Sequence, residues 1–270
     1  MNILFQKGLQ DAAHIERRNT IGSKVRIKMD IKTQVGMKVD ILFSQNGFLG
    51  VNKPPGLITS TSNGPPPWYT YPELRELVRM YLPEAREANR VDQFASGIVI
   101  VGTDEGRVDY LQENWHGITE KWYLAVIRKP TWDTTVVDAL IDDKTAVTGF
   151  TILERGSVFA LAKCDLLQNG RKHQIRKHLR SIGYPIVGDY KYGGDPCMVR
   201  QGPLLHSWQT KVQLPTVDPR GRFSHGSEVS HIQAPIPDDF LSYPFDWKHW
   251  NKGANRVIKS WDAPSDWRRN

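Results

Sequence analysis

The sequence has almost no cysteine, which limits the kinds of stabilisation open to it. Cys164 and Cys197 are the only two cysteines among 270 residues. Their number and spacing fit neither a zinc knuckle nor the disulfide framework of a small secreted domain. We therefore expect a protein of a reducing compartment, without a structural metal.

The sequence also lacks a long apolar run. No segment approaches the roughly 18 apolar residues that a membrane-spanning helix needs, and the apolar part of the N-terminus is too short for a secretory signal. We expect a soluble, cytoplasmic protein with no membrane partner. Arg17, Arg18 and Lys24 leave an organellar address as the alternative. Asp11 and Glu16 weaken that alternative, because targeting segments are poor in acids.

Acidic residues are fewer than basic ones. The chain has 36 Lys and Arg against 29 Asp and Glu, which gives a net charge of +7. This excess favours a polyanionic partner over an acidic small molecule, although many basic proteins bind no nucleic acid. With 270 residues, 39% of them apolar, the chain can bury a substantial core in one main domain.

Short alternating segments predict a fold made mostly of β-strands. Apolar and polar residues alternate with the period of two that is typical of a half-buried strand. The predicted strands are 24–31, 39–43, 48–53, 96–101, 121–127, 133–138, 149–154, 157–167 and 204–212. Helices are predicted only over 72–81, 104–115 and 173–182. Because strands and helices do not alternate regularly, we predict an α+β fold with a mixed, largely antiparallel sheet.

Asp92 lies where a reactive group would be well placed. It precedes the apolar run 96–101, which predicts a buried strand, so Asp92 falls at the edge of a sheet instead of inside it. An aspartate at such a position is more often an ordinary turn or cap residue. This segment alone favours that plainer interpretation.

A second segment, 169–180, concentrates positive charge. Its cationic and titratable residues are Arg171, Lys172, His173, Arg176, Lys177, His178 and Arg180. On a helix Lys172 and Arg176 share one face, while Ile175 and Leu179 share another that can pack on the sheet. The two histidines are poorly spaced to bind one metal ion from a single helix face. A solvated basic helix is the plain alternative.

These segments resemble, with three others, the ordered motifs of the RluA-like pseudouridine synthases. The family's catalytic motif is His-Arg-Leu-Asp, then three residues and Ser-Gly-Leu, and residues 89–101 are similar to it. The other matching blocks are 51–57, 121–126, 170–194 and 204–208. Because five blocks agree in order and spacing across residues 46–240, the resemblance is specific.

The resemblance implies isomerisation of uridine to pseudouridine in RNA, with no metal and no organic cofactor. The family's catalytic aspartate falls on Asp92, its active-site tyrosine on Tyr123, and the arginine that pairs with the aspartate on Arg176. The reaction needs an ionised carboxylate, and a neighbouring arginine favours the charged form. Tyr123 would stack on the freed uracil and take part in the proton transfer from its C5. Without the flanking motifs, Tyr123 would be interpreted as a core aromatic residue of a strand.

The implied partner is RNA, either rRNA or tRNA, and the family resemblance favours a monomer. A uridine inside folded RNA must leave its stack to reach the pocket, at a cost of a few kcal/mol. By resemblance, Arg90 fills the space that the flipped nucleotide leaves. The other residues of the predicted substrate-binding set are Lys121, Arg171, Lys172, His173, Gln174, Lys177 and Leu204. Each of the cations fits a solvated surface charge equally well.

The resemblance also divides the chain into three parts. Residues 1–43 form a short strand region, similar to the second half of a small RNA-binding domain, or else a strand pair that extends the catalytic sheet. Residues 44–243 form the catalytic domain. Residues 244–270 form a tryptophan-rich extension that we expect to cover the surface or bind a partner.

Several residues around the motif depart from the family pattern. Asn89 replaces the family's histidine, Val91 its leucine, and Lys172 a threonine or serine, and residues 93–95 differ from the usual ones. None of these changes removes the aspartate, the tyrosine or the arginine. The rival hypothesis is a catalytically silent RNA-binding or ribosome-assembly protein that keeps the fold. It predicts RNA binding without any isomerised uridine.

Overall fold

The computed structural model describes residues 31–32, 38–69, 71–168, 170–226 and 228–243. The strands are β1 (Ile31–Lys32), β2 (Lys38–Gln45), β3 (Phe48–Lys53), β4 (Arg86–Glu87), β5 (Ser96–Gly102), β6 (Thr119–Arg128), β7 (Thr134–Asp138), β8 (Val147–Arg155), β9 (Phe159–Gln168), β10 (Leu205–Gln213), β11 (Thr216–Val217), β12 (Phe223–Ser224) and β13 (Val229–Gln233). The helices are α1 (Leu74–Arg79), α2 (Glu105–Glu113), α3 (Trp115–Ile118), α4 (Gln174–Ser181) and α5 (Asp238–Leu241). No helix within these residues is long and apolar enough to cross a membrane.

Most of the described strands join one sheet of 11 strands. Its main path runs β1-β2-β3-β5-β10-β6-β9-β8-β7, with β4 beside β5 and β13 beside β10. The pairing of β5 with β10 is parallel, and the other pairings described for this sheet are antiparallel. The predicted α+β fold with a mixed, largely antiparallel sheet is therefore confirmed.

The sheet has apolar core on both faces because successive side chains of a strand point in opposite directions. Val99 of β5 belongs to the larger apolar cluster, which also contains Leu74 of α1. Its neighbour Ile98 belongs to a second cluster, which contains Val108 of α2. Helices α1 and α2 therefore cover opposite faces of the central strands, and β5 is buried along its whole length.

Gly97 allows the close approach of β5 and β10 at their parallel pairing. Its φ is +104°, and a Cβ atom at this position would lie 2.1 Å from the backbone oxygen of Ser207. A residue with a side chain would therefore be excluded both by its conformation and by contact. The pairing of Gly97 with Ser207 brings the start of β5, and the loop before it, against β10.

Helix α4 begins one residue later than predicted. His173 has a φ of 58° and a ψ of 26°, a left-handed conformation that cannot continue a right-handed helix. Lys172 therefore precedes the helix, and the prediction that Lys172 and Arg176 share one of its faces is wrong. The other face was predicted correctly, since Ile175 and Leu179 lie in the larger apolar cluster.

The ends of the chain are described only in part. Strand β2 runs through position 43 and pairs with β3, so residues 38–45 belong to the same sheet as the strands that follow. Most of the predicted N-terminal region, including most of the strand predicted over 24–31, lies outside the described residues. The tryptophan-rich segment 244–270 lies wholly outside them.

Candidate active site

Asp92 lies on the loop that joins β4 to β5. Hydrogen bonds hold the backbone of this loop before and after Asp92. The N–H of Ala95 donates to the carbonyl of Asp92 at 3.1 Å. The hydroxyl of Thr59 donates to the carbonyl of Val91 at 2.8 Å. The Asp92 side chain remains 26% exposed. Its carboxylate is therefore held in place yet accessible from solvent.

Lys53, the last residue of β3, ties this loop to the loop that follows β3. Its side chain is completely buried. The ammonium donates at 2.7 to 3.0 Å to the carbonyls of Pro54, Leu57, Gln93 and Ala95. Burial lowers the pKa of Lys53 to about 7, and the negative charge of Asp92 opposes that shift. The buried Lys53 side chain thus fixes the backbone on the C-terminal side of Asp92.

Arg176 of α4 connects Asp92 to a second aspartate, Asp189. Its Nη1 donates to Oδ2 of Asp92 at 2.9 Å, while Nε and Nη2 donate to the two oxygens of Asp189 at 2.7 and 2.8 Å. Burial alone would lower the pKa of Arg176, but the hydrogen bonds to Asp189 and Asp92 outweigh it and raise the pKa. The guanidinium therefore keeps its charge and presents one edge to Asp92.

His173 lies beside Asp92, and Tyr192 lies beside Arg176. His173 Nε2 lies 3.6 Å from Oδ2 of Asp92, and its Nδ1 lies 2.9 Å from the hydroxyl of Tyr192. The Arg176 guanidinium carbon lies 5.0 Å from the centre of the Tyr192 ring, a distance typical of a cation–π contact. Burial lowers the pKa of His173, and the negative charge of Asp92 opposes that shift.

Tyr123 of β6 lies within electrostatic reach of Asp92. Its side chain is buried, and its hydroxyl shares a hydrogen bond with Ser207. Burial, helped by the negative charge of Asp92, raises the pKa of Tyr123 to about 12. The phenol therefore keeps its proton at neutral pH. The structure thus brings Asp92, Tyr123 and Arg176 together in one site.

This arrangement suits chemistry at the edge of a cleft. An accessible carboxylate that is held by a permanent cation can act as a nucleophile or as a base. The protonated phenol of Tyr123, within electrostatic reach of this carboxylate, can act as a hydrogen-bond donor. The His173 imidazole also borders the carboxylate.

Four of the predicted substrate-binding cations lie at or near the surface. Arg90 and Lys172 are exposed. Lys177 is engaged with Asp142, at an Nζ–Oδ1 distance of 2.7 Å. Lys121 is half-buried with its ammonium 5.0 Å from the centre of the Trp115 ring, and burial lowers its pKa to about 8. Their contacts with a substrate stay predictions.

The other predicted binding residues are more enclosed. The Gln174 amide donates at 3.1 Å to Val147 O, Thr148 Oγ1 and Gln168 O, and its oxygen accepts from the N–H of Arg171 at 2.9 Å. Leu204 is fully buried in the larger apolar cluster. Gln174 therefore fixes the start of α4. Its predicted contact with a substrate, and that of Leu204, stay predictions.

The residues that depart from the family pattern hold the Asp92 loop. The Asn89 side-chain oxygen accepts from the N–H of Ile100 at 2.8 Å. The Gln93 amide donates to the carbonyl of Gly56 at 3.2 Å. Phe94 packs so closely on Gly202 that a Cβ atom there would lie 2.3 Å from the Cβ of Phe94. The unusual residues therefore have structural partners.

Sequence reasoning missed three residues of the site: Lys53, Asp189 and Tyr192. All three fall inside the matched blocks, but no role was assigned to them. A lysine between an apolar strand and Pro54-Pro55-Gly56 was a usable signal, because a charge at the end of a buried strand needs partners. Nothing in the sequence pattern joined Asp189 to Arg176.

Comparisons with known proteins identify the family of this chain. Residues 47–181 match the model of a protein family described as RNA pseudouridylate synthase. The chain is 28% identical, over 75% of its length, to the ribosomal large subunit pseudouridine synthase D of Nitrosomonas europaea, and the match spans 63% of that relative. It is also 28% identical to an uncharacterized RNA pseudouridine synthase, YlyB, of Bacillus subtilis, over 75% of this chain and 71% of the relative.

Solved structures show the same fold. The human RNA pseudouridylate synthase domain containing 1 aligns with a TM-score of 0.57 and 19% identity, over 74% of this chain and 84% of the human one. The human RNA pseudouridylate synthase domain containing 4 aligns with a TM-score of 0.55 and 21% identity, over 74% and 90% of the two chains. At these identities the likeness concerns the fold alone.

Proposed function

The chain belongs to the RNA pseudouridylate synthase family, and from this we propose that it isomerises uridine to pseudouridine within an RNA strand. The observation that carries the proposal is the Asp92 carboxylate, accessible to solvent and held by Arg176 at 2.9 Å. Arg176 compensates the charge of this carboxylate, and access from solvent leaves it free to react. We assign it the first step of the reaction.

In that step the bond between N1 of the uracil and C1′ of the ribose breaks. Asp92 either attacks C1′ and forms an ester, or removes the C2′ proton to give a glycal. Both routes release the uracil with the electron pair of the broken bond. The base then turns, and C5 forms the new bond to C1′. On the ester route this step displaces the Asp92 carboxylate from C1′, and on the glycal route Asp92 returns its proton to C2′. Loss of the C5 proton and protonation of N1 complete the isomerisation without an oxidant or a reductant.

Because Tyr123 is protonated, the stacking of the uracil and the removal of the C5 proton are assigned to different residues. A phenol with a pKa of about 12 is a poor base at neutral pH. We therefore assign Tyr123 the stacking of the detached uracil. Asp92, a free carboxylate again once C5 has bonded to C1′, accepts the C5 proton.

The substrate proposed first is large-subunit ribosomal RNA, since relatives of this chain carry that RNA in their names. Transfer RNA is the alternative. Arg90, Lys121, Arg171, Lys172 and Lys177 would supply phosphate contacts, which give affinity and salt dependence more than sequence choice. We propose that the protein works as a cytoplasmic monomer without a cofactor, which sedimentation at working concentration and assays in chelator-treated buffer would test.

The test is Asp92→Asn, assayed for pseudouridine in total RNA with and without the protein. The variant removes the charge and keeps the shape, so we expect pseudouridine formation to fall below detection while the fold persists. Asp133→Asn is the matched control, because Asp133 is an exposed aspartate bound to Arg155 at 2.6 Å. It should leave the activity unchanged.

Two results would contradict the proposal. Full activity of Asp92→Asn would remove Asp92 from the chemistry. RNA binding by the wild type with an unchanged pseudouridine map would favour the catalytically silent assembly protein instead.

A further inference from the structure

A polar cavity of about 450 Å³ lies beside the proposed active site. Its walls come from the loop 60–62, from Arg75 of α1, from the segment 86–90 and from Gln112 of α2. The cavity shares Arg90 with the loop that carries Asp92. Arg90 and Asp92 are two positions apart in the chain, so their Cα atoms are at most about 7 Å apart. The volume is within the range of pockets that hold small ligands, about 300 to 1,000 Å³.

The one carboxylate in the cavity wall is already neutralised. Glu87 accepts from Arg75 Nε at 2.9 Å and from Arg75 Nη2 and Ser60 Oγ at 2.5 Å. Burial acts to raise the pKa of Glu87, but these hydrogen bonds outweigh it and lower the pKa below its ordinary value. Arg75 and Glu87 therefore form a closed ion pair, and the charge of the cavity is set by Arg86 and Arg90.

Arg90 is available to an anion, whereas Arg86 must first leave two exposed carboxylates. Arg90 is exposed and has no ion pair or hydrogen bond within the described part of the chain. Arg86 contacts Glu105 and Asp109, whose side chains are 73% and 56% exposed and can be hydrated when the arginine turns away. Ion pairs of this kind contribute little to stability. The cavity can therefore present two guanidinium groups to an anion, and releasing Arg86 from its ion pairs costs little free energy.

The cavity wall also contains uncharged polar groups. Ser62 is exposed and has no hydrogen-bond partner among the described residues. Gln112 donates to the carbonyl of Ala88 at 3.0 Å, which leaves its side-chain oxygen as an acceptor. Two guanidinium groups next to a hydroxyl and an amide oxygen match a phosphate joined to a ribose, whose 2′-hydroxyl both donates and accepts.

We infer that this cavity holds the ribose and phosphate of a nucleotide adjacent to the uridine that is isomerised. The inference rests on the proposed function, because it is the shared Arg90 that places an RNA strand at both sites. With the target uridine at Asp92, the neighbouring phosphodiester lies between Arg90 and Arg86. Ser62 and Gln112 then face the ribose and favour RNA over DNA.

The test measures the affinity of the full chain for a labelled oligouridylate by fluorescence anisotropy, at several salt concentrations. Arg86→Gln removes one charge from the cavity, and Ser62→Trp fills the cavity from an exposed position. We expect each to raise the Kd roughly three- to tenfold, and Arg86→Gln to reduce the slope of log K against log salt by about one. The preference for oligouridylate over oligodeoxyuridylate should shrink in Ser62→Trp.

Arg107→Gln is the matched control, because Arg107 likewise pairs with an aspartate, Asp104, but does not line the cavity. It should leave the Kd unchanged. Unchanged affinity and salt slope in both cavity variants would overturn the subsite and leave the proposed isomerase standing. An equal loss in Arg107→Gln would also overturn it, since the effect would then come from the general charge of the surface. Binding needs no turnover, so a failure of the proposed activity would be seen separately in the Asp92→Asn assay.

Discussion

At the scale of single residues, the site depends on how Arg176 is oriented. An arginine has five N–H donors in a rigid plane, so fixing two of them fixes the direction of the others. Asp189 binds Nε and Nη2 of Arg176 and is itself only 1% exposed. The remaining edge, with Nη1, is thereby directed at Asp92. We therefore propose that Asp189 is a positioning residue, which acts on the proposed reaction through Arg176.

Asp189→Asn should therefore lower kcat while KM changes little. An asparagine can accept only one of the two guanidinium hydrogen bonds, and a misplacement of about 1 Å can cost about a hundredfold in rate. We expect a loss of roughly ten- to a hundredfold in kcat, measured under saturating RNA. A merely structural role would reduce the amount of folded protein and leave kcat per folded molecule unchanged.

The chain offers a matched control for this change. Asp195 binds Nε and Nη2 of Arg128 at 2.8 and 2.7 Å, the same paired geometry on the surface. Asp195→Asn should leave kcat unchanged, because an exposed pair is worth little and touches no site residue. Equal kcat in the two variants would contradict the positioning role of Asp189.

At the scale of secondary-structure elements, the site lies where three loops meet. The site takes residues from the loop after β3, from the loop before β5 and from the start of α4. Lys53 joins the first two loops, while Arg176 and His173 join the third to Asp92. The strands provide a rigid base, and the irregular segments carry the chemistry, as is common in enzymes.

Most of the longer elements were predictable from the sequence because their patterns are local, but the short elements β4, β11, β12, β13, α3 and α5 were not predicted. The apolar run 96–101 needs only its own residues to be recognised as a buried strand. Asp92 and Arg176 could be connected only through the family resemblance, since the residues between them give no sign of contact. The start of α4 was missed by one residue because the left-handed His173 is fixed by Tyr192 and by the site, not by helix propensity. Asp189 was missed for the same reason, as its partner lies on another element.

Lys53→Met tests the connection between the first two loops. The variant keeps the apolar stem but leaves four buried carbonyls without this donor. The pKa of Lys53 is about 7 in the folded protein, below the ordinary lysine value of 10.5. Between these values the unfolded chain binds the extra proton, so the wild type gains stability as pH rises, by up to about 1.4 kcal/mol per unit.

The loss of unfolding free energy in Lys53→Met should therefore be larger at pH 9 than at pH 6.5, and at least about 2 kcal/mol at the higher pH. Urea denaturation at the two pH values measures this. Lys129→Met is the control, since Lys129 is exposed and should show no pH-dependent difference. A loss that is equal at both pH values would show that Lys53 does not titrate in this range.

At the scale of the whole molecule, a buried ion pair joins α5, the last helix of the described residues, to the centre of the sheet. Arg200 Nη1 lies 3.1 Å from Oδ2 of Asp239 on α5, and the two side chains are 6% and 15% exposed. The same Nη1 lies 3.4 Å from the hydroxyl of Ser96, the first residue of β5. The pair therefore links α5 to the strand that follows the Asp92 loop.

This pair is poorly compensated for its burial. Burial lowers the pKa of Arg200 and raises that of Asp239, even though each charge favours the other. Arg200 Nε and Asp239 Oδ1 are buried without a hydrogen-bond partner among the described residues. A pair of this kind costs about as much to desolvate as its attraction returns.

Removing one charge of this pair should therefore lower the free energy of unfolding more than removing both. Asp239→Ala leaves the Arg200 charge buried and unpaired, and should lower the free energy of unfolding by about 3 kcal/mol or more. The double variant Arg200→Met with Asp239→Leu should lie within about 1 kcal/mol of the wild type. The carbonyl of Pro203, which Arg200 also contacts, still accepts the N–H of Leu205 at 2.8 Å. A urea double-mutant cycle measures the difference, with Asp133→Ala as the exposed control. A double variant as unstable as the sum of its single changes would show that the two charges act independently and that their pairing does not hold α5 in place.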